Sequence, residues 1–257
     1  MYILLFFLLP ALTFAYEAHE TLNATVSHVI DGDTLVLKNG QKVRLLDINT
    51  PEIHHQDARQ TEPVAEAARQ VLELIVDKDE NITLHLGPRP LDTYGRLLAH
   101  IYTKNKDGTL NWVNGQLVRE GFAHVYTFEQ NEPYTTRLLT LEEDARSQKK
   151  NIWALPRWNL RDAATCCTLS DTGRFHLVQG TIKSVGYGPK GMVYLNFGDD
   201  YKTDFTLRIN GRDSRKFPWH KKWKELEGKT VLARGKLAPV NGMMITLSHA
   251  AQLKLLP

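Results

Sequence analysis

The sequence predicts an α+β, mostly β fold built from two small barrels, the first of which carries helices. Residues 24–155 combine short alternating strands with amphipathic helices, whereas residues 173–257 alternate in short strands separated by turns that contain glycine. Short strands with one interrupting helical segment are typical of a five-stranded OB-type barrel. A chain of 257 residues is long enough for two domains, because single domains commonly hold about 100–150 residues.

The first barrel begins with a predicted β-hairpin. The stretch "ATVSHVIDGDTLVL" alternates enough to form a strand, "KVRLLDI" is a second strand, and Asn39-Gly40 between them is typical of a two-residue type I′ turn. With that turn, Asp33 lies opposite Leu46. Arg44 is two residues from Leu46, so its guanidinium shares a face of the sheet with the Asp33 carboxylate. The hairpin therefore predicts a carboxylate beside a cation.

Helices and strands alternate through the rest of this half. Helical spacing is found in residues 62–78, in a short stretch that ends near Gly121, and in residues 135–153. Two further strands are predicted from "NITLHLG" and from the end of "RPLDTYGRLLAHIYT". Residues 156–172 break the periodicity and are predicted to be a linker between the first domain, residues 24–155, and the second, residues 173–257.

The first 15 residues predict an export signal. The apolar run from Tyr2 to Ala15 is too short to span a bilayer comfortably, and the small side chain of Ala15 suits cleavage after it. No Lys or Arg precedes the run, so a buried N-terminal helix is the alternative. No later segment approaches 18 apolar residues, so we expect no membrane insertion after cleavage, and a secreted or periplasmic protein.

Charge is divided unequally along the chain. Residues 168–257 carry 15 Lys and Arg against 7 Asp and Glu, a net charge of +8, whereas the preceding residues have a net charge of −5. This asymmetry indicates a polyanionic partner for the basic half. Within it, residues 212–229 interleave cations with Phe217, Trp219 and Trp223, a pattern that suits attraction to single-stranded nucleic acid and base stacking. The alternative is a solvated basic segment with core tryptophans, which we favour for Trp223.

Two other motifs, Cys166-Cys167 and His54-His55, say little about function. Cys166 and Cys167 are adjacent, with Cα atoms about 3.8 Å apart, so we favour small hydrophobic side chains near a domain boundary. A vicinal disulfide or an intermolecular bridge is the alternative in an oxidising compartment. His54-His55 could suggest zinc, but neighbouring strand residues point apart and no third ligand is suitably spaced.

Five motifs together resemble one family. They are "DGDT" (31–34), "VRLLDINTPE" (43–52), "YGRLLAH" (94–100), "VREGFAHVY" (118–126) and "EEDARSQKKNIW" (142–153). In order and spacing they resemble the staphylococcal-nuclease-like (thermonuclease) family over about residues 24–155. The C-terminal region resembles the OB-type domain that accompanies some bacterial members. The resemblance implies a Ca²⁺-dependent phosphodiesterase that acts on DNA and RNA.

The resemblance implies a calcium site with one unusual residue. Asp33 would be a ligand, Thr50 would bind through its backbone carbonyl, and Asp31 would lie behind them. Active members carry an Asp ligand at the position of Asn49. An Asn carbonyl oxygen can still bind calcium, but the lost negative charge predicts weaker binding. Asp47 would replace that charge only through a bulge or bend, because in a regular strand it lies on the face opposite Arg44.

Catalytic and substrate-binding roles are implied for four residues. Glu52 would be the general base that activates water, Arg44 and Arg96 would bind the phosphate, and Tyr94 would lie against the nucleotide. These residue types suit the chemistry, because a reacting phosphodiester accumulates negative charge that guanidinium groups stabilise. Arg44 could instead be only a structural partner of Asp33, and Arg96 an exposed charge.

Three functions remain open at this point. The first is an exported Ca²⁺-dependent nuclease that hydrolyses phosphodiester bonds of DNA, RNA or both. The second, for which Asn49 is the main support, is a weakened or inactive nuclease-fold module that binds nucleic acid or protein. The third is an envelope component that uses the OB surfaces for protein contacts.

Overall fold

The computed structural model describes residues 20–127 and 132–257, the side chains of residues 132 and 133 excepted. The predicted export signal at residues 1–15 lies outside the described residues. Within these two ranges, no helix is both long and apolar enough to cross a membrane.

The first half forms a closed mixed sheet of five strands. In chain order, the strands of this half are β1 (Glu20–Asp31), β2 (Thr34–Leu37), β3 (Lys42–Leu45), β4 (Ile48–Asn49), β5 (Asn81–Leu91), β6 (Leu97–Lys104), β7 (Leu110–Trp112) and β8 (His124–Val125). The sheet order is β3-β2-β1-β5-β6, and a parallel pairing of β3 with β6 closes the barrel. Strand β7 extends the sheet beyond β6, and β4 pairs with β8 in a separate ladder. The barrel and its helices confirm the predicted fold class.

The hairpin turn has three loop residues, Lys38–Gly40, rather than the predicted two. The glycine takes the left-handed conformation with a φ of 84°, and the loop is closed by a hydrogen bond from its N–H to the carbonyl that precedes the turn. This geometry is typical of a type I turn followed by a bulge. The pairing therefore shifts by one residue, so that Thr34 faces Arg44, and the predicted pairing of Asp33 with Leu46 is wrong.

Three helices accompany the first barrel: α1 (Ala65–Ile75), α2 (Val113–Arg119) and α3 (Glu132–Ser147). Helix α1 is shorter at both ends than the predicted 62–78. Its N-terminal limit is Val64, whose left-handed backbone (φ 73°) departs from the helical conformation. Leu72 of α1 is fully buried in the barrel core, as the apolar spacing predicts.

The second half repeats the strand order of the first. Its elements are β9 (Arg161–Asp162), β10 (Phe175–Thr181), β11 (Ser184–Tyr187), β12 (Val193–Asn196), β13 (Thr206–Ile209), α4 (Gly211–Ser214), β14 (Thr230–Ala238), β15 (Met244–Leu247) and β16 (Leu253–Leu255). The sheet order is β11-β12-β13-β15-β14-β10, with β13 and β15 parallel. Only two residues separate β10 from β11. The sheet order, which begins at β11, therefore ends at the strand that leads directly into β11. Both halves thus place a parallel pair at the same point of the same cyclic order.

The predicted linker is packed structure rather than an extended connection. Strand β9 pairs in parallel with β10, and Trp158 is buried in a hydrophobic cluster with Phe175 and Leu177 of the second barrel. The same cluster includes Ala145 of α3 and Ile152. It therefore joins the two barrels. The domain limits at residues 155 and 173 remain predictions.

The aromatic side chains of the basic segment belong mostly to the second core. Phe217 and Trp223 are buried, and Trp219 packs against them from a partly buried position. The prediction that Trp223 is a core residue is confirmed. Base stacking by Phe217 is wrong, because its ring is also covered by protein.

The adjacent cysteines are bonded to each other. Cys166 and Cys167 form a vicinal disulfide, so the favoured prediction of two free small side chains is wrong and the alternative is correct. Both residues still pack, partly buried, against the core of the second barrel.

Candidate active site

An ion pair between Asp33 and Arg44 forms the base of the candidate site. Nη2 of Arg44 lies 2.9 Å from Oδ2 of Asp33, and both side chains are almost fully buried. Nη1 of Arg44 also donates to the backbone carbonyls of Leu45 (2.6 Å) and Ile48 (3.0 Å), where the chain bends from β3 into β4. The bend thus fixes the guanidinium in one position. The predicted neighbourhood of the two charges is present, although it arises from a different hairpin register.

Asn49 links the guanidinium to the next backbone carbonyl. Its side-chain oxygen accepts from Nη2 of Arg44 at 2.9 Å, and its side-chain nitrogen donates to the carbonyl of Thr50 at 2.9 Å. Exchanging the two amide atoms would set donor against donor and oxygen against oxygen, so the orientation is determined by its neighbours. The backbone N–H of Thr50 donates to Oδ2 of Asp33 at 3.0 Å. Asp33, Asn49 and Thr50 are therefore brought together as predicted.

Asp31 lies behind this cluster. One of its carboxylate oxygens accepts from the backbone N–H of Asp33 at 3.2 Å. Burial, and then the neighbouring charge of Asp33, raise the pKa of Asp31 to about 7, and the opposing effect of Arg44 is smaller. Asp31 and Asp33 are thus two neighbouring carboxylates beside a single guanidinium, that of Arg44.

The backbone of Glu52 is held at the rim by two hydrogen bonds with Glu62. Its N–H donates to Oε2 of Glu62 at 2.9 Å, and its carbonyl accepts from the N–H of Glu62 at 3.0 Å. Oε1 of Glu62 in turn pairs with Arg157 at 3.0 Å. Partial burial, and then the charge of Asp33, raise the pKa of Glu52. The charges of Arg44 and of Lys236, in the second barrel, lower this pKa by a smaller amount. A carboxylate with a raised pKa is better suited to accept a proton near neutral pH.

Arg96 and Tyr94 lie next to the cluster without contacting it. Nε of Arg96 pairs with Oδ2 of Asp92 at 2.7 Å, and its guanidinium lies 5.6 Å from the ring centroid of Tyr94, which is 83% exposed. The parallel register pairs Arg44 with Leu98. Arg96 is two residues before Leu98 and just outside β6, so its backbone lies about 7 Å along the chain from the level of Arg44.

Asp47 does not replace the charge that Asn49 lacks. Its side chain is fully buried, and its carboxylate lies 3.4 Å from Nε2 of His100. The backbone of Asp47 is left-handed, with a φ of 62°, at the bend between β3 and β4. Even with this bend, the carboxylate pairs with the histidine of β6 rather than with the Arg44 cluster.

The rim of the cluster opens into a cleft of about 660 Å³ between the two barrels. The first barrel contributes Asn49, Thr50 and Glu52 to its wall, and the second contributes Arg174 and Lys236. The candidate site therefore faces the second barrel across a shared space.

Comparison with known proteins identifies the first domain. Residues 42–155 match the sequence profile of the staphylococcal nuclease homologue family. This stretch belongs to that family. Asp31 and Asp33 precede the matched stretch, so the place of Asp33 in the site rests on its contacts with Thr50 and Arg44, and that of Asp31 on its hydrogen bond with Asp33.

Several relatives have names that describe nucleases. The chain is 34% identical to endonuclease YncB of Bacillus subtilis (strain 168) over 139 residues, which are 52% of this chain and 63% of the relative. It is 33% identical to the SPbeta prophage-derived endonuclease YokF of the same organism, over 52% of this chain and 45% of the relative. The match thus spans less than two thirds of either relative. Thermonuclease of Staphylococcus intermedius is 29% identical over 131 residues, 50% of this chain and 74% of the relative.

The staphylococcal nuclease family generally uses Ca²⁺, and the donor atoms present here suit such an ion in part. Asp33 and the Thr50 carbonyl offer hard oxygen atoms of the kind that calcium binds, and Asp31 lies behind them. The amide nitrogen of Asn49, however, donates to that same carbonyl, and its oxygen accepts from Arg44. The described residues contain no group of three His, Cys, Asp or Glu side chains placed to hold a metal. The donors therefore suit calcium when the amide of Asn49 turns away from the Thr50 carbonyl. The site then has one carboxylate fewer than a site with Asp in place of Asn49.

Sequence reasoning missed the residues that meet the site from outside the first barrel. Arg174 and Lys236 are far from the motifs in sequence, and only the docking of the barrels brings them to the cleft. Glu62 was also missed, although it precedes Pro63 at the start of the predicted helix. No local pattern marks any of these residues, because each acts through a tertiary contact.

Proposed function

We propose that the protein is an exported Ca²⁺-dependent nuclease that hydrolyses phosphodiester bonds of DNA, RNA or both. The observation that carries the proposal is the Asp33–Arg44 pair, 2.9 Å apart, to which the backbone N–H of Thr50 donates, behind an open cleft that Thr50 and Glu52 line. Membership of residues 42–155 in the staphylococcal nuclease family supports the same function, as do the names of the relatives.

The residues divide the work of the reaction among them. The guanidinium of Arg44, fixed by backbone carbonyls, would stabilise the negative charge that develops on the phosphate oxygens, and Arg96 would bind the phosphate from the turn before β6. Glu52 would accept the proton of the attacking water. Tyr94 would lie against a base with its exposed ring. Calcium held by Asp33 and the Thr50 carbonyl would add positive charge next to the phosphate.

Export is the part of the proposal that concerns the N-terminus. The apolar run Tyr2–Ala15 supports it, and the disulfide between Cys166 and Cys167 is of a kind that persists in oxidising compartments. Abundant calcium outside the cytoplasm would allow a weak site to fill. Mass spectrometry of the protein from cell fractions should find a chain that starts at Tyr16 outside the cytoplasm. A full-length chain confined to the cytoplasm would contradict export.

The second candidate function is a nuclease-fold module that binds nucleic acid without cutting it. The specific observation in its favour is the hydrogen bond from Asn49 to the Thr50 carbonyl, which satisfies that oxygen without a cation. This candidate predicts binding that needs no metal, weakens steeply with salt and leaves the polymer intact.

A cleavage assay separates these functions. The purified chain is incubated with labelled DNA and RNA, with millimolar calcium or with a chelator. We expect cleavage only with calcium, and a rate about 10²–10⁴-fold lower for Glu52→Gln, which removes the general base. Glu66→Gln, which changes an exposed glutamate of α1, is the matched control and should keep the wild-type rate. Intact polymers in calcium, or equal rates for wild type and Glu52→Gln, would overturn the proposal.

A further inference from the structure

Two cations of the second barrel face the candidate active site across the cleft. We propose that Lys236 and Arg174 bind the phosphate groups of a single nucleic-acid strand whose neighbouring phosphodiester lies at Glu52. The second barrel then supplies half of the substrate-binding site rather than a separate anchoring surface. This inference rests on the proposed nuclease function and extends it to a part of the chain beyond the family match, which ends at residue 155.

The fold of the second barrel places the two cations side by side. Arg174 immediately precedes β10, and Lys236 lies on the neighbouring strand β14, opposite Phe175. Both side chains line the cleft together with Asn49, Thr50 and Glu52. The pair therefore stands on one wall, and the candidate catalytic residues stand on the other.

The charges of this pair are available to a ligand. Among the residues that the structure describes, no carboxylate forms an ion pair with Arg174 or Lys236, and both are exposed. The other two arginines of the cleft differ, because Arg59 pairs with an aspartate and Arg157 with Glu62. An exposed cation without a carboxylate partner loses least when it binds a phosphate, since it has no ion pair to give up.

The aromatic ring of Tyr126 restricts the position of the Lys236 side chain. Nζ of Lys236 lies 5.5 Å from the ring centroid of Tyr126, within the range of a cation–π contact. Tyr126 also lines the cleft and follows β8, the strand that pairs Asn49 with His124. The ammonium is thus directed toward the wall that carries the candidate site rather than into solvent.

The dimensions of the cleft favour one strand over a duplex. A volume of about 660 Å³ falls in the range of sites that enclose molecules of drug-like size, which is the size of one or two nucleotides. Single-strand recognition by OB-type barrels commonly combines a cationic groove with stacking rings. Here Tyr126 offers a partly exposed ring at the cleft beside Lys236, whereas Phe217 and Trp223 of the basic segment are buried.

Binding in the absence of cleavage tests the proposal first. Fluorescence anisotropy of a fluorescein-labelled single-stranded DNA is measured with the full chain in a chelator, over a series of salt concentrations. We expect Lys236→Gln and Arg174→Gln each to weaken binding about tenfold, and the double variant more. The slope of log affinity against log salt should fall by about 0.7 for each cation removed. Lys202→Gln and Arg119→Gln, at exposed positions outside the cleft, are the matched controls and should bind like the wild type.

Cleavage with calcium is the second measurement. We expect the double variant to raise KM about as much as it weakens binding, with kcat changed less than about twofold, because the cations bind substrate and transition state alike. If the wild type binds and the double variant does not, but neither cleaves, the nuclease proposal fails while the cleft proposal stands. If the wild type cleaves and the double variant matches it in affinity and KM, the cleft proposal fails while the nuclease proposal stands.

A competing surface provides the sharpest contrast. Lys221 and Lys222 belong to the basic segment 212–229 and are exposed away from the cleft. Loss of affinity in the variant Lys221→Gln/Lys222→Gln, together with wild-type affinity in the double cleft variant, would overturn the proposal in favour of that surface. A wild-type chain that binds no single-stranded DNA would overturn it as well.

Discussion

The guanidinium of Arg44 donates to the side-chain oxygen of Asn49 at 2.9 Å and, from the same nitrogen, pairs with Asp33 at 2.9 Å. The residue proposed to stabilise charge on the phosphate is therefore also a structural centre of the site. Loss of Arg44 is expected to affect both folding and catalysis, whereas loss of the partly exposed Arg96 should affect mainly catalysis.

This difference gives the first prediction. Arg44→Met leaves Asp33 buried without its partner, so we expect the free energy of unfolding to fall by about 3–5 kcal/mol. Arg96→Gln removes a pair near the surface and should cost about 1 kcal/mol or less. Urea unfolding followed by circular dichroism measures both. Both variants should cleave more slowly, and equal stability losses would contradict the structural role of Arg44.

A buried ion pair between the barrels gives the second prediction. Glu142 of α3 pairs with Arg234 of β14, and its other oxygen accepts from the backbone N–H of Val125 at 2.7 Å. Glu142→Gln leaves the arginine buried without a carboxylate, so we expect a loss of about 3–5 kcal/mol in the free energy of unfolding. Glu143→Gln is the matched control, because its exposed pair with Lys254 should contribute less than about 1 kcal/mol. Similar losses in the two variants would show that the pair does not hold the barrels together.

Asp47 provides a third prediction, which concerns the missing charge. Its carboxylate faces His100, so Asp47→Asn should leave the calcium concentration for half-maximal cleavage within about twofold of the wild type. Asparagine tolerates the left-handed backbone at this position, so the variant should fold. A tenfold rise in that calcium concentration would show instead that Asp47 serves the metal site.

The candidate site could be predicted from the sequence because its residues lie in short local motifs. The Asp33–Arg44 contact followed from the presence of a hairpin, although the turn length, and hence the register, was wrong. Gly40 could be the second residue of a two-residue loop or the third residue of a three-residue loop. The dipeptide Asn39-Gly40 is compatible with both turns.

What sequence reasoning could not supply depends on contacts between distant segments. The base-stacking prediction for residues 212–229 failed for Phe217, and Trp223 is in the core as predicted, since an aromatic ring among lysines can equally lie inside or outside. The position of Lys236 at the cleft follows only from the docking of the two barrels, which no pattern along the chain indicates.

A buried histidine gives the fourth prediction. Burial is the main effect on His176 and lowers its pKa to about 4, and the nearby Asp171 opposes this effect only in part. Three arginines add to the lowering: Arg161, Arg157 and Arg174. In the unfolded chain the pKa of the residue is about 6.5, so between pH 6.5 and pH 4 the unfolded state binds a proton that the folded state does not. Stability should therefore fall as the pH decreases through this window.

Unfolding by urea at a series of pH values measures this effect. His176→Gln should remove up to about 3 kcal/mol of the decrease in the free energy of unfolding between pH 6.5 and pH 4. His55→Gln changes an exposed histidine and serves as the control, with the pH dependence of the wild type. If the His176 variant and the wild type lose stability in parallel, the histidine is not held neutral in the folded protein.

The fifth prediction concerns Asn49 and tests the central claim most directly, through a calcium titration of cleavage in the wild type and in Asn49→Asp. In the variant, a carboxylate oxygen would face the Thr50 carbonyl, where the amide N–H now donates, and a cation would be needed between the two oxygens. We expect the wild type to cleave at millimolar calcium and the variant to reach half-maximal activity at a calcium concentration about tenfold lower. Cleavage by the variant alone, with a wild type that binds nucleic acid but leaves it intact, would contradict the account and identify the native chain as a binding module.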